Sequence, residues 1–165
     1  MRFLLDVMLG KLATYLRMCG HDAAYALDHG APNGTKHTRD DSTEHADDAG
    51  VEDDVTLLAL ARSADRRLVT RDTDLAARVD DAIYVSATDI EGQLRELRSA
   101  GVELSLDRPE RCSRCNGRVE RVENGETPGD APDPGQERVW RCRACGQHYW
   151  KGSHWEDVRD RLAGL

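Results

Sequence analysis

Arg67-Leu68-Val69-Thr70-Arg71-Asp72-Thr73-Asp74-Leu75 is a short apolar strand that runs directly into two acids and the start of a helix carrying Leu75 and Val79. The same grammar recurs on both sides of it. Upstream, Arg2-Phe3-Leu4-Leu5-Asp6 reads as a buried strand ending on an acid, after which Met8, Leu9, Leu12, Leu16 and Cys19 recur at helical spacing up to a closing Gly20. Asp22–Leu27 reads as a second strand. Asp53-Asp54 then opens a helix with Val55, Leu57, Leu58, Leu60 and Ala61. Downstream, Ala82–Val85 is a further strand, and Thr88-Asp89-Ile90-Glu91 is a capping-box pattern opening a helix through Ile90, Leu94 and Leu97 that Gly101 closes. Strands alternating with helices predict an α/β fold with a mainly parallel sheet.

In such sheets ligands bind at the carboxyl ends of the strands. That rule singles out Asp6, Asp72 and Asp74, together with the helix-start pair Asp53 and Asp54. Any one acid after a strand is commonly just a cap for the next helix. Three separate positions on one edge are less easily explained that way. A cluster of Asp without His or Cys is hard oxygen ligation, suited to Mg²⁺ or Mn²⁺ rather than zinc. Such ions activate water and stabilise a phosphodiester transition state. Lys11 and Arg17 on the first helix, and Arg71 between Thr70 and Asp72, are candidates to position phosphate; the bland reading of Lys11 and Arg17 is ordinary solvated helix charge. Other acid-dependent chemistries fail on spacing. Asp6 is followed by Val7 and Met8 rather than by a D-x-D phosphatase motif, no Lys lies between positions 36 and 151 to serve a phospho-receiver, and no Gly-rich phosphate loop is present.

The chain has 165 residues with 31 acidic and 23 basic side chains, a net charge of −8. The imbalance is regional: residues 1–110 hold 13 basic and 22 acidic side chains, net −9, and residues 111–165 hold 10 and 9, net +1. With 20 Asp and 20 Arg but only three Lys, the composition suits a high-salt, halophilic cytoplasm, where large net charge keeps proteins soluble. No apolar run approaches the roughly 20 residues needed to cross a bilayer, and the N-terminus does not read as a secretory signal, so a cytoplasmic protein without membrane contact is expected. From His29 to Gly50 no Val, Ile, Leu, Met, Phe, Trp or Tyr occurs, which predicts an acidic surface insert over residues 29–50.

A boundary near Asp107–Arg111 divides residues 1–106 from 107–165. In the second part, Cys112-Ser-Arg-Cys115 and Cys142-Arg-Ala-Cys145 are two CxxC pairs separated by 26 residues. Four thiolates at this spacing make a closed tetrahedral zinc site, structural rather than catalytic because no coordination position stays open. Gly117 and Gly146 follow the second Cys of each pair and suit tight knuckle turns. Around the second pair, Arg138, Trp140, Arg141, Arg143, His148, Tyr149, Trp150, Lys151, His154 and Trp155 mix basic and aromatic character, as surfaces that stack single-stranded nucleic acid do; completing a small ribbon core is the competing role for Trp140 and Trp150. Ser153-His154-Trp155-Glu156 is a second capping box, opening a C-terminal helix assigned to the ribbon segment. His154 near that helix start and Cys19 on an apolar face read as structural.

These stretches together resemble the Mut7-C RNase family, a PIN-like nuclease domain fused to a zinc ribbon. The matching segments are FLLDVMLGKLATYLRMCGHD, LVTRDTDLA, RCSRCNG and RCRACGQHYWKGSHW; residues 29–50 depart from the compact family pattern. The resemblance implies a PIN-like three-layer fold with metal-dependent ribonuclease activity on RNA. Asp6, Asp72 and Asp74 match the acids of the PIN-like site, and the helix-start acid is Asp53 or Asp54, with Asp54 taken because it lies nearer the hydrophobic register beginning at Val55. The reading that follows is a Mg²⁺/Mn²⁺-dependent endoribonuclease using Asp6, Asp54, Asp72 and Asp74, with Lys11, Arg17 and Arg71 on phosphate and Cys112, Cys115, Cys142 and Cys145 on zinc. The alternative is a catalytically weak RNA-binding or ribosome-associated adaptor. On either reading the ribbon folds on zinc while the first 105 residues stay folded without it.

Overall fold

The computed structural model describes residues 1–29, 54–123, 127–128 and 131–165. The insert beyond His29 and the candidate acid Asp53 lie outside the described residues. Four strands, β1 (Arg2–Leu5), β2 (Asp22–Tyr25), β3 (Arg67–Thr70) and β4 (Ile83–Tyr84), form one sheet in the order β2-β1-β3-β4. Every pairing is parallel. The α/β reading therefore holds, and the order reverses between β1 and β3, the switch point where doubly wound sheets place their ligands.

Alternation along β1 sorts the core into two layers. Phe3 and Leu5 face a cluster with Leu12 and Leu16 of α1 (Gly10–Met18) and Leu94 and Leu97 of α4 (Ile90–Ser99). Leu4 and Leu68 face the other way, onto Leu57, Leu58 and Ala61 of α2 (Asp54–Ser63) and Leu75 of α3 (Thr73–Ala76). Side chains of a strand point alternately to opposite faces, so a strand covered by helices on both sides must be apolar throughout, and each buried Leu contributes about 1.5–3 kcal/mol. Helix ends follow the sequence only in part: α1 begins at Gly10 after a 3-10 turn, α3 stops at Ala76, short of Val79, and two N-caps shift. Gly20 and Gly101 sit at φ +84° and +82°, as left-handed caps should. The cap of α4 is Asp89, whose carboxylate accepts from Gly92 N at 2.8 Å, rather than Thr88.

A second, antiparallel sheet of β5 (Val119–Val122), β6 (Val139–Cys142) and β7 (His148–Tyr149) forms the ribbon. The last helix, α5 (Ser153–Ala163), is capped by Gly152 without a side-chain bond, so Ser153 is its first residue and not a capping-box hydroxyl. The apolar face of α5 is buried in the α/β layers. Trp155, Val158 and Leu162 enter the same buried cluster as Tyr15, Leu94 and Leu97. Arg98 donates to the carbonyls of Leu162 at 2.9 Å and Leu165 at 3.1 Å, and Arg161 donates to the Tyr15 hydroxyl at 2.8 Å. The chain thus leaves the α/β layers, builds the ribbon and returns.

His21 pins the start of β1 to this return path. Its ring lies edge-on to Phe3 and bonds the Glu103 carbonyl at 2.7 Å and the N-terminal amine at 3.3 Å. Burial holds its pKa below the ordinary 6.5, the Glu103 carbonyl pulling the other way and the N-terminal ammonium adding to the depression. The folded state then binds fewer protons than the unfolded one once pH falls below about 6.5, so this contribution to stability is complete above that value and is lost on acidification through the folded pKa. Melting temperature is expected to be flat above pH 7 and to decline below 6.5; in His21→Gln this decline should disappear, and an unchanged slope in the variant would remove His21 from the account.

Candidate active site and metal centre

The carboxyl edge of the sheet at the β1/β3 switch point carries Asp6 and Asp72, joined through a residue to which sequence patterning assigns only a strand role. Thr70, the last residue of β3, is fully buried. Its hydroxyl donates to Asp6 Oδ2 at 2.7 Å and accepts from Asp72 N at 3.0 Å. Asp6 Oδ1 accepts from Val7 N at 2.6 Å, which caps the short turn leading into α1. Asp72 caps α3, its Oδ1 accepting from Asp74 N at 2.8 Å and Leu75 N at 2.9 Å. The bland and the functional readings of these acids are therefore compatible: one oxygen of Asp72 holds the helix, and the other accepts no hydrogen bond from the described residues. Thr in a strand reads as an ordinary β-former, so only the three-dimensional neighbourhood of Asp6 singles out Thr70.

Tyr25, at the end of β2, closes one flank. Its hydroxyl donates to the Val7 carbonyl at 2.6 Å, and a Cβ on Gly10 would stand 3.1 Å from the phenol, so only glycine lets the ring lie there unhindered. Burial pushes the Tyr25 pKa up, and the negative charges of Asp28 and Asp6 add to it.

The remaining predicted residues divide. Asp74 is exposed in the first turn of α3, and Asp54 is exposed at the start of α2, paired with Arg78 at 3.3 Å. Lys11 is exposed on the first turn of α1 and makes no ion pair among the described residues. Arg71 likewise forms no ion pair or hydrogen bond there, and its buried Nε has no partner. Arg17 requires a correction. Its side chain is only 4% exposed, and its guanidinium donates to the carbonyls of Ala23 at 2.8 Å, Ser113 at 3.2 Å and Arg114 at 3.1 Å and pairs with Asp28 at 2.6 Å. Those bonds take four of its five N–H donors, two of them on the ribbon, and bury the side chain away from any phosphate in solvent.

Asp22 is the second half of that clamp. Burial alone would raise its carboxyl, but hydrogen bonds from Arg66 at 2.7 Å and Asn116 at 2.7 Å, with the charges of Arg66 and Arg111, outweigh burial and hold it below the usual range. Arg111 reaches its other oxygen at 3.2 Å. The Asn116 side-chain Oδ1 also accepts from Ala23 N at 3.1 Å.

The four cysteines meet as their spacing requires. Among the described residues, Cys112, Cys115, Cys142 and Cys145 are the one group of His, Cys, Asp or Glu whose ligand atoms all lie within 4.8 Å of one another; the aspartates form no such group. Cross-pair sulfurs stand 3.6 Å and 3.5 Å apart, and four thiolates at about 2.3 Å from one tetrahedral ion would sit about 3.8 Å apart. Each pair closes a knuckle, Cys115 N donating to Cys112 Sγ at 3.4 Å and Cys145 N to Cys142 Sγ at 3.5 Å. The turns after them place Asn116 at φ +60° and Gly146 at φ +74°. A Cβ on Gly117 would stand 3.0 Å from Cys142 Sγ and 3.3 Å from Cys115 Sγ. Burial pushes the Cys115 and Cys145 thiols up, whereas at Cys142 burial is outweighed by hydrogen bonds from the Cys145 and Ala144 N–H groups, which hold it down, and a bound cation would favour the thiolate at all four. The donor set fits zinc. Cys19, by contrast, is a core thiol pushed up to about 12 by burial.

The family model described as the Mut7-C RNAse domain matches residues 1–162, nearly the whole chain. The chain belongs to the Mut7-C RNAse domain family. No curated protein and no solved structure shows a significant match. Membership gives this Mut7-C chain a nuclease-like role with RNA as the substrate class. Its match runs through the α/β layers, the four-cysteine ribbon and α5. None of the described helices is long and apolar enough to cross a membrane.

Proposed function

We propose that this Mut7-C chain is a Mg²⁺- or Mn²⁺-dependent ribonuclease that cuts RNA phosphodiester bonds at the carboxyl edge of its parallel sheet. The observation that carries the reading is the Asp6–Thr70–Asp72 link, in which Thr70 bonds the Asp6 carboxylate and the Asp72 main-chain N–H and so sets the two acids just past adjacent strands at the switch point. Asp6 and Asp72 would hold the ion, with Asp74 and Asp54 completing an all-oxygen donor set; the ion would supply an activated water and charge neutralisation at the phosphate. The chain's own part is positional. Thr70 fixes the Asp6 carboxylate by donating to one oxygen, and the cap bonds of Asp72 occupy one oxygen and leave the other without a hydrogen bond from the described residues. Lys11 and Arg71, cations without partners among the described residues, would hold the phosphates flanking the cut. Asp54 joins only if it exchanges Arg78 for the ion, an exposed and therefore weak ion pair to break.

The test is incubation of the full chain with end-labelled single-stranded RNA, with and without added Mn²⁺. Cleavage with metal and none without it is the expected result. Binding without cleavage at every metal and salt concentration would favour an RNA-binding adaptor instead.

A further inference from the structure

The two faces of the ribbon sheet differ in how their charges are used. On one face Glu120 lies opposite Arg141, which lies opposite His148. There the cations are engaged within the same sheet: Glu120 pairs with Arg141 at 3.2 Å and Arg143 at 2.8 Å. On the other face Arg121, Trp140 and Tyr149 stand side by side across the three strands. This face looks into a groove of about 640 Å³ bounded by residues 107–110, into which Arg118, Arg121, Arg138 and Lys151 project. All four are exposed, and none pairs with a carboxylate among the described residues. Of the acids on the rim, Glu110 is engaged by Arg108 at 3.2 Å, leaving Asp107. A surface with four unpaired cations is conspicuous in a chain of net charge −8.

Pro109 is shared between this groove and a second cavity of about 250 Å³ between the ribbon and α5. Tyr149, Trp150, Trp155 and His148 wall it. Trp155 is buried in the α5 core with Lys151 5.4 Å above its ring, whereas Trp150 is half-buried and keeps a free surface. Gly152 makes room for the indole: a Cβ there would stand 2.8 Å from Trp150 Nε1.

We propose that groove and cavity form one track for single-stranded RNA, in which Arg118, Arg121, Arg138 and Lys151 hold successive phosphates and the cavity takes one nucleobase stacked on Trp150. This rests on the ribonuclease reading for the choice of RNA. The chemistry selects a single strand: a cavity of this size admits one base and no base pair, and an aromatic wall needs a base whose π-face is free. The track lies towards the far end of α1 from Asp6, since Met18 lines the cavity. A helix of this length puts it about 13 Å along the axis. A base held there anchors the strand a few nucleotides from the cut rather than presenting the scissile bond.

The test is fluorescence anisotropy with a labelled 12-nucleotide single-stranded RNA and the full chain carrying Asp72→Asn to prevent turnover, in buffer without chelator. Replacing Arg118, Arg121 and Arg138 together by Gln should weaken binding at least tenfold. It should also flatten the salt dependence by about 2 in log K against log salt, near 0.7 for each phosphate no longer neutralised. Trp150→Leu should weaken binding about 5- to 100-fold with the salt slope unchanged. Arg141→Gln with Arg143→Gln, on the paired face, should leave affinity as it was. A second measurement needs no ribbon variant: RNA containing 4-thiouridine should photo-crosslink to the 148–155 peptide. Parent-like binding by the Arg variant or by Trp150→Leu, equal affinity for a duplex, no RNA binding by the parent, or crosslinks confined to other peptides would each overturn the track. Cleavage by the unsubstituted chain is scored separately, so loss of the track with cleavage intact leaves the ribonuclease reading standing, and binding along the track without any cleavage does the reverse.

Discussion

Asp72→Asn should abolish metal-dependent RNA cleavage, lowering its rate by at least about 10²- to 10³-fold, while leaving the fold untouched. The two expectations separate because the two oxygens of Asp72 have different tasks. Oδ1 caps α3 through Asp74 N and Leu75 N, and Asn caps a helix as well as Asp does, so stability should change by no more than about 0.5 kcal/mol. The other oxygen carries the charge that an ion requires, and an amide removes it. A calorimetric scan overlaying the parent, alongside a cleavage assay with Mn²⁺, checks both halves. Cleavage within a few-fold of the parent would take Asp72 out of the site and shift attention to Asp6 and Asp74.

Cys142→Ser should have the largest effect on stability, and that effect should not stop at the ribbon. Three thiolates and a hydroxyl bind zinc far more weakly than four thiolates, and in ribbons of this size the metal supplies folding free energy of about 10–16 kcal/mol. When the knuckle around Cys112–Asn116 comes apart, Arg17 loses the Ser113 and Arg114 carbonyls, Asp22 loses Arg111 and Asn116, and Ala23 N loses its acceptor. Hydrogen bonds to charged groups are worth about 1.5–3 kcal/mol each, and a buried charge left without partners costs more. A loss of about 3–5 kcal/mol in residues 1–105 is expected, a large share of the roughly 5–15 kcal/mol by which domains are stable. Where the sequence division leads to independent folding of the first 105 residues, these contacts lead us to expect coupled folding. Native mass spectrometry should find the zinc gone, and hydrogen exchange should accelerate at Ala23–Tyr25 in β2 as well as in the ribbon. Parent-like protection of β2 would sever the coupling.

Much of the architecture is legible in the sequence because its signals are local. Phe3-Leu4-Leu5 and Leu68-Val69 are unbroken apolar runs, which only a strand covered on both faces requires, and the acids that end them fall on one edge by the alternation of strands and helices alone. The two CxxC pairs are equally direct, since ligand chemistry and spacing suffice. What escapes is what depends on partners far along the chain. Arg17 sits at a helical position that looks solvated; its carbonyl acceptors at Ser113 and Arg114 are 96 and 97 residues away. Trp155, Val158 and Leu162 announce an apolar helix face but not which layer it covers, and the answer lies with Tyr15, Leu94 and Leu97. Thr70 escapes for the opposite reason: its composition signal is already explained by the strand.

The docking of the first knuckle on β2 carries a consequence for solubility. Among the described residues β2 is an edge of the parallel sheet, and an open edge offers its unpaired N–H and C=O groups as a template for a strand from another molecule. Here the outward pair at Ala23 is already occupied, its N–H by Asn116 and its C=O by Arg17. The ribbon is therefore also a stopper. A chain stripped of its metal by chelation or thiol oxidation would expose a short, alanine-rich edge next to a similar edge on every other copy, and association between copies, rather than a soluble unfolded state, is the fate the fold is built to avoid.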